Sequence, residues 1–304
     1  MSEPTGAGQQ SAQDPSATAS EATGGASLWS DAWLELRKSP LFVVSALLIV
    51  VVLLMTFFPG LFTDTDPRDC SLARSLQTPS SEHWFGTDLQ GCDYYARTIY
   101  GARASIVVGI TSVSIAAVIA VTIGSLAGYY RRWVDALISR TADVFFAIPV
   151  ILAGLVLLSV LPRRGTMEIS LVLGTFGWPA MMRLMRSSVL SVAEADYVQA
   201  ARALGANDGR IMRRHILPNA ITPVIVYGTI FVGIIIAAEA TLTFLGVGLQ
   251  LPSVSWGLMI SLAQRRLLQA PHLLLFPGLF LSVTIFAFIL MGDALRDAFD
   301  PKLR

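Results

Sequence analysis

The sequence predicts an all-α membrane protein, a polytopic helical bundle with six transmembrane helices. Its 304 residues are 54% hydrophobic and 14% charged, with a mean hydropathy of +0.62, whereas a soluble domain of this size carries more charge. A helix needs about 20 apolar residues to cross a bilayer. The apolar runs lack the alternation of strands, so backbone groups in lipid must be satisfied within helices. Six segments reach or approach the required length: 41–62, 105–129, 142–161, 168–188, 222–246 and 272–292.

The first 40 residues divide into a polar tail and an amphipathic segment. Residues 1–27 are rich in Ser, Gly, Ala, Thr and Gln, so we expect a disordered cytoplasmic tail. Residues 28–40 predict an interfacial helix, because Trp29 and Trp33 fall on one helical face and tryptophan favours the membrane–water boundary. A simple extension of the first span is the alternative. No cleavable signal peptide is expected, since the first apolar run begins late and is long enough to span.

The predicted extracytoplasmic loop 63–104 contains the two cysteines of the chain, Cys70 and Cys92. On the oxidising side of a membrane such a pair favours a disulfide, and two unrelated thiols are the alternative. In the entropic model, closing a loop of that size stabilises the protein by roughly 3 kcal/mol.

The basic residues of the loops predict the orientation. With the N-terminus inside, 14 of the 22 Lys and Arg residues lie on the cytoplasmic side. Half of the others fall in the long loop, where positive charge has less influence on topology. We therefore expect both termini, and the polar segment around residues 190–218, to be cytoplasmic.

One carboxylate, Glu239, falls deep inside a predicted span. A charged side chain at the centre of a membrane costs roughly 2.5–3.5 kcal/mol on insertion scales, so Glu239 should face a partner or an aqueous path. Lining of a translocation pathway and packing against a neighbouring helix are both open.

The segment Gln199–Pro218 is charged and helix-prone, yet it lies between two hydrophobic spans. A short Ala-rich helix from Ala195 to Leu204 is predicted to stop at Gly205 and Asn207. Its small residues allow another surface to approach the backbone closely. The segment therefore indicates contact between a membrane subunit and a soluble partner, and an ordinary amphipathic loop is the alternative.

These residues resemble the signature of the permease subunits of bacterial ATP-binding cassette (ABC) importers. That signature is Glu-Ala-Ala, three residues, Gly, nine residues and Ile-x-Leu-Pro. Here it appears as Gln199-Ala200-Ala201, Gly205 and His215-Ile216-Leu217-Pro218. Gln199 replaces the family Glu and loses its charge, and His215 stands where Ile is usual. In the family this loop contains the coupling helix, which sits in a cleft of the ATPase subunit.

Three further matches resemble the oligopeptide, dipeptide and nickel permeases of the C-subunit type. The segment His83–Gly109 follows the family pattern His-x-Phe/Leu-Gly-Thr-Asp, with Cys92 in place of an Arg. Thr243–Gly257 is similar to the Phe-Leu-Gly-x-Gly signature that precedes Trp-Gly, and Gly292–Arg304 resembles the family ending. The resemblance covers about residues 28–304.

The resemblance implies a type I importer permease in a bacterial plasma membrane. Its core would be residues 105–292 with a coupling loop at 190–218, followed by a cytoplasmic tail at 293–304. Implied partners are a second homologous permease, two ATPase subunits that hold ATP and Mg, an extracytoplasmic substrate-binding protein and membrane lipid. Implied substrates are di- or oligopeptides, and relatives carry nickel or other metal chelates, haem or glutathione. The residues implied in coupling are Glu194, Asp196, Tyr197, Gln199, Ala200, Ala201, Arg202 and Gly205, with Arg213 and Arg214 meeting anionic lipid or the ATPase.

Other chemistries lack their sequence signatures. The chain has no P-loop for ATP, no CxxC pair and no Gly-x-Ser-x-Gly elbow. His83, His215 and His272 are scattered, which predicts no metal site, and a net charge of +1 suggests no nucleic-acid partner. A transmembrane enzyme is a distant alternative that would need an intramembrane acid–base pair. We therefore expect a transport subunit without its own cofactor, and not an enzyme.

Overall fold

The computed structural model describes residues 33–299, and its regular elements in that range are helices and two isolated β-bridges. This confirms the all-α class. The predicted tail 1–27, the start of the predicted interfacial helix and residues 300–304 lie outside the described range. The helices are α1 Pro40–Phe57, α2 Tyr94–Tyr130, α3 Arg132–Ala147, α4 Val150–Val160, α5 Thr166–Val192, α6 Asp196–Ala203, α7 Asp208–Ile211, α8 Leu217–Ala220, α9 Thr222–Phe244, α10 Trp256–Ala263 and α11 His272–Phe299.

Four of the described helices, α1, α2, α9 and α11, are long and apolar enough to cross a membrane. The pair α3–α4 would be a fifth span, bent by 77° at a short break that contains Pro149. Proline explains the bend because it removes a backbone donor and its ring clashes with the preceding turn. Helix α5 is less apolar, since it carries Glu168, Arg183 and Arg186.

Three helix ends differ from the limits of the predicted segments. Helix α1 ends at Phe57 and not at residue 62, because Pro59 follows and cannot continue the helix. Helix α2 begins at Tyr94, inside the predicted loop 63–104, because the Asp93 side chain caps it by accepting the Ala96 N–H at 2.7 Å. Helix α11 continues to Phe299, so the described part of the predicted tail 293–304 is helical.

The predicted interfacial segment 28–40 is described from residue 33 onward, and residues 33–36 are helical. Leu36 is buried in a small cluster with Ala298 at the end of α11. Trp33 is 48% exposed and meets the Phe42 ring edge-on at 6.1 Å. The side chains of Leu36 and Trp33 therefore differ in burial.

Helices α2 and α5 pack closely through small residues. A Cβ atom at Gly124 would lie 2.9 Å from the Met182 carbonyl oxygen, and one at Gly128 would lie 2.8 Å from the Arg186 carbonyl oxygen. Gly124 and Gly128 form the small-xxx-small pattern that allows helix backbones to approach within a membrane. With 37 residues, α2 is about 55 Å long and joins the two ends of the bundle.

Candidate functional site

The segment between α5 and α9, residues 193–221, is hereafter called the interhelical segment. It contains α6, which spans Asp196–Ala203 and agrees closely with the predicted helix 195–204. At its end, the Ala206 N–H donates to the Ala201 carbonyl at 3.1 Å and the Gly205 N–H donates to the Arg202 carbonyl at 3.0 Å. This pair of bonds is the Schellman motif, and it requires the positive φ of +82° found at Gly205.

The interhelical segment buries one face and exposes the other. Val198, Ile211 and Ile216 are fully buried and attach the segment to the bundle. Leu204 is 88% exposed and Tyr197 is 47% exposed, although both have large apolar side chains. Exposed apolar side chains beside arginines are typical of a contact surface for another protein.

The predicted coupling residues occupy this exposed face or its edges. The Gln199 side chain donates to the Ala193 carbonyl at 3.1 Å, so in this structure it stabilises the local backbone. Glu194 accepts a hydrogen bond from Arg131 at 2.8 Å. Arg213 and Arg214 lie on a π-helical turn, Met212–Ile216, and line a shallow basic depression. The remaining predicted residues are Asp196, Ala200, Arg202 and Gly205, which are exposed, and Ala201, which is half-buried.

Sequence reasoning missed two residues at the end of α2 that contact this segment. The Tyr129 hydroxyl donates to Asp208 at 2.7 Å, and the Arg202 guanidinium lies 5.9 Å from the Tyr129 ring centroid. Arg131 binds Glu194. The basic residues that follow the apolar run of α2 were a visible signal, but the partner of Arg131, Glu194, lies 63 positions away in the chain.

Glu239 is fully buried between three elements. Its carboxylate accepts hydrogen bonds from Thr243 at 2.9 Å, from Ser255 at 3.3 Å and from Ser105 at 3.3 Å. Hydrogen-bond donors reduce the free-energy penalty of burying a carboxylate. These contacts are the ones that a packing role requires, and they join α9 to α2 and to the loop before α10.

Comparison with known proteins identifies the family. Residues 120–304 match the family described as binding-protein-dependent transport system inner membrane component. Residues 27–79 match the N-terminal TM domain of oligopeptide transport permease C. The chain belongs to this family of ABC importer permeases. Members of the family are membrane subunits and not enzymes themselves, which confirms the predicted class and membrane location.

Individual relatives resemble the permease over most of its length. The dipeptide transport system permease protein DppC of Alkalihalophilus pseudofirmus is 39% identical over 276 residues, which cover 91% of this chain and 90% of that protein. The oligopeptide transport system permease protein OppC of Bacillus subtilis is 39% identical over 278 residues, or 91% of each chain. The glutathione transport system permease protein GsiD of Pectobacterium atrosepticum is 36% identical over 277 residues, covering 91% and 92%.

A solved structure supports the fold. The permease superposes on a chain from the crystal structure of an amino acid ABC transporter with a TM-score of 0.51 and 14% sequence identity. The match covers 66% of this chain and 92% of the other. At this identity the similarity concerns the arrangement of helices and carries no information on substrate.

At the opposite end of α2, residues 58–93 of the permease form a loop closed by a disulfide between Cys70 and Cys92, hereafter the cystine loop. Asp93 Oδ2 lies 2.8 Å from His83 Nδ1 and both side chains are buried. Asp88 pairs with Arg97 and also accepts the Cys92 N–H at 3.0 Å. Within residues 33–299, no group of three His, Cys, Asp or Glu side chains is arranged to hold a metal ion.

Proposed function

We propose that the permease is one of two membrane subunits of an ATP-driven importer of di- or oligopeptides. The similarity to DppC and OppC, at 39% identity over 91% of the chain, supports this substrate class. Similarity to GsiD at 36% identity supports glutathione as the second candidate. Glutathione is itself a tripeptide derivative, so these relatives agree on small peptides as the chemical class.

We infer six spans with both termini in the cytoplasm. The spans are α1, α2, the bent pair α3–α4, α5, α9 and α11, and the distribution of basic residues supports this orientation. In that topology the interhelical segment faces the cytoplasm. The cystine loop faces the outside, where a disulfide persists.

The interhelical segment is the proposed contact with the ATPase subunits, which hold ATP and Mg. The observation that carries this proposal is the two-faced burial of the segment, with Val198 buried and Leu204 88% exposed. The contact surface comprises Tyr197, Leu204 and the family-matched residues around Ala201, while Arg213 and Arg214 meet anionic lipid or the ATPase. ATP-driven closure of the ATPases would supply the difference in binding free energy that a conformational change requires. An extracytoplasmic binding protein would deliver the peptide.

Site-directed cross-linking tests the contact. A cysteine introduced by Ala201→Cys should capture an ATPase subunit in native membranes through a short bifunctional cross-linker. Leu268→Cys is the control for non-specific capture, because Leu268 is 99% exposed but lies between α10 and α11, far from the interhelical segment along the chain. Capture by both variants, or by neither, would overturn the proposed contact.

Uptake measurements test the substrate. In vesicles that contain the assembled importer and its binding protein, we expect ATP-dependent uptake of a labelled dipeptide. Competition by excess unlabelled tripeptide and by glutathione separates the two candidates. Uptake that responds to glutathione alone would replace the general peptide assignment with the glutathione one.

A further inference from the structure

We propose that the C-terminal end of α2 transmits movement of the interhelical segment to the bundle, with Tyr129 and Arg131 as the positioning residues. This inference rests on the proposed function, because it concerns how contact with an ATPase would alter the membrane helices. It adds two residues that the family signature does not contain.

The first observation is that α2 contacts the interhelical segment on both sides of α6. Arg131 binds Glu194, two positions before α6 begins, at 2.8 Å. Tyr129 donates to Asp208, beyond the end of α6, at 2.7 Å. The Tyr129 ring also lies 5.9 Å from the guanidinium of Arg202 in the last turn of α6. The chain on either side of α6 is therefore attached to Tyr129 and Arg131, which are two positions apart.

The second observation is the backbone conformation at this junction. Arg131 and Arg132 have φ values of +54° and +49°, which are uncommon for residues other than glycine. Arg131 separates α2 from α3 and Arg132 begins α3, and the Arg131 N–H still donates to the Ala127 carbonyl at 3.1 Å. The break lies where the Arg131 side chain reaches Glu194. Backbone conformations of this kind persist where surrounding contacts hold them.

The third observation is that α2 is joined to its neighbours near the same end. Gly128 lies against the Arg186 carbonyl, and the Arg186 side chain forms a two-bond pair with Asp135 of α3. Helices α2, α3 and α5 are therefore joined through Arg186 at this end of α2. A displacement of α6 that moves the end of α2 would move this junction as a unit.

The fourth observation is that α2 reaches the other end of the bundle. Near its first turn, the Tyr94 hydroxyl donates to the Leu273 carbonyl of α11 at 2.6 Å. The indole N–H of Trp256, at the start of α10, donates to the Thr98 carbonyl at 2.8 Å. A rigid helix of about 55 Å that contacts the interhelical segment at one end and α10 and α11 at the other can couple the two faces of the membrane.

The test uses the complete importer in proteoliposomes and measures peptide uptake per ATP hydrolysed. In the double variant Tyr129→Phe/Arg131→Gln, we expect this ratio to fall about two- to fivefold, the range that exposed polar contacts can contribute. Cross-linking at Ala201 and stimulation of ATP hydrolysis should persist. A merely structural role would lower uptake and hydrolysis together and leave the ratio unchanged.

The control is a matched ion pair elsewhere in the permease. Arg183 and Asp143 lie 2.7 Å apart with side chains 48% and 51% exposed, close to the 2.8 Å, 46% and 69% of Arg131 and Glu194. Arg183→Gln should leave the ratio unchanged, because neither residue lies in the interhelical segment. The charge exchange Arg131→Glu/Glu194→Arg should restore at least part of the ratio that Arg131→Glu loses.

The outcomes separate the two proposals. An unchanged ratio in the double variant, or an equal loss in Arg183→Gln, would overturn the inference about α2 while Ala201 still cross-links. Absence of cross-linking at Ala201 in otherwise unaltered permease would overturn the proposed function itself. If the double variant does not assemble, the single variant Tyr129→Phe tests the inference through the same ratio of uptake to ATP hydrolysis. This variant keeps the ring and removes only the hydroxyl that donates to Asp208.

Discussion

The cystine loop and the interhelical segment lie at opposite ends of α2, and they differ in how deeply their paired side chains are buried. In the cystine loop and the first turn of α2, the disulfide joins Cys70 to Cys92, and the side chains of the His83–Asp93 and Asp88–Arg97 pairs are at most 12% exposed. In the interhelical segment the ion pair Arg131–Glu194 is exposed, and Leu204 projects into open surroundings.

This difference indicates which end of the permease is cross-linked and packed within the single chain, and which end leaves apolar surface exposed. The covalent link stabilises the cystine loop without help from a partner, and removing one member of a buried pair would leave the other without compensation. The interhelical segment leaves apolar surface uncovered, which a second protein can bury. We therefore expect substitutions in the cystine loop to lower the stability of the isolated permease, and substitutions on the exposed face of the segment to affect assembly instead.

The largest expected effect comes from removing the disulfide. The double variant Cys70→Ser/Cys92→Ser should lose about 3 kcal/mol of stability, because a link across 22 positions no longer restricts the unfolded chain. The thermal midpoint of the purified permease in detergent measures this loss. A reducing agent should lower the midpoint of the unaltered protein and leave the double variant unchanged. Equal thermal midpoints for the unaltered protein and the double variant would show that the disulfide does not stabilise the cystine loop.

The second effect concerns the start of α2. Asp93→Ala removes the side-chain cap of the helix and leaves buried His83 without its partner, for an expected loss of about 2 kcal/mol. Asp93→Asn keeps an acceptor for the Ala96 N–H, so it should lose less than half as much. The same thermal measurement compares the two variants. A loss of stability in Asp93→Asn as large as that in Asp93→Ala would show that the helix cap contributes little and that the pair with His83 accounts for the effect.

The start of α2 also shows where sequence reasoning reaches its limit. The predicted span 222–246 agrees with α9 at Thr222–Phe244, because Glu239 is the one charged residue in this otherwise uncharged segment. Helix α2 instead begins with a polar turn that carries Tyr94 and Arg97, so hydropathy placed its start too late. The capping aspartate was the local signal that would have corrected it.

The candidate site likewise contains one element that could be predicted from the sequence and several contacts that could not. The bounds of α6 followed from the sequence, since Gly205 ends the helix through its own backbone conformation. The contact between Tyr129 and Asp208 spans 79 positions, and the one between Ser105 and Glu239 spans 134. Such contacts depend on how α2 packs against the rest of the bundle, which no local pattern specifies.

The third effect is a backbone effect in the interhelical segment. Gly205→Ala should cost about 1 kcal/mol, because its φ of +82° strains any residue with a Cβ, while no atom lies within 4 Å to clash. Gly209→Ala is the matched control, since Gly209 lies in helix α7 without a positive φ and alanine favours helices. Thermal midpoints of both variants measure the difference. A loss in Gly209→Ala equal to that in Gly205→Ala would refute the conformational explanation.

The smallest effect on stability gives the sharpest comparison of the two regions. Leu204→Ser should change the stability of the isolated permease by less than about 0.5 kcal/mol, because the side chain is 88% exposed and packs against little. Its affinity for the ATPase subunits should nevertheless fall about tenfold, as expected when an apolar anchor of an interface is removed. Leu268→Ser removes a side chain that is 99% exposed outside the segment, and it should leave both quantities unchanged. Titration of detergent-purified permease with its ATPase subunits measures the affinity. A loss of stability in Leu204→Ser with unaltered affinity would mean that Leu204 serves the folding of the permease and not its contact with the ATPase.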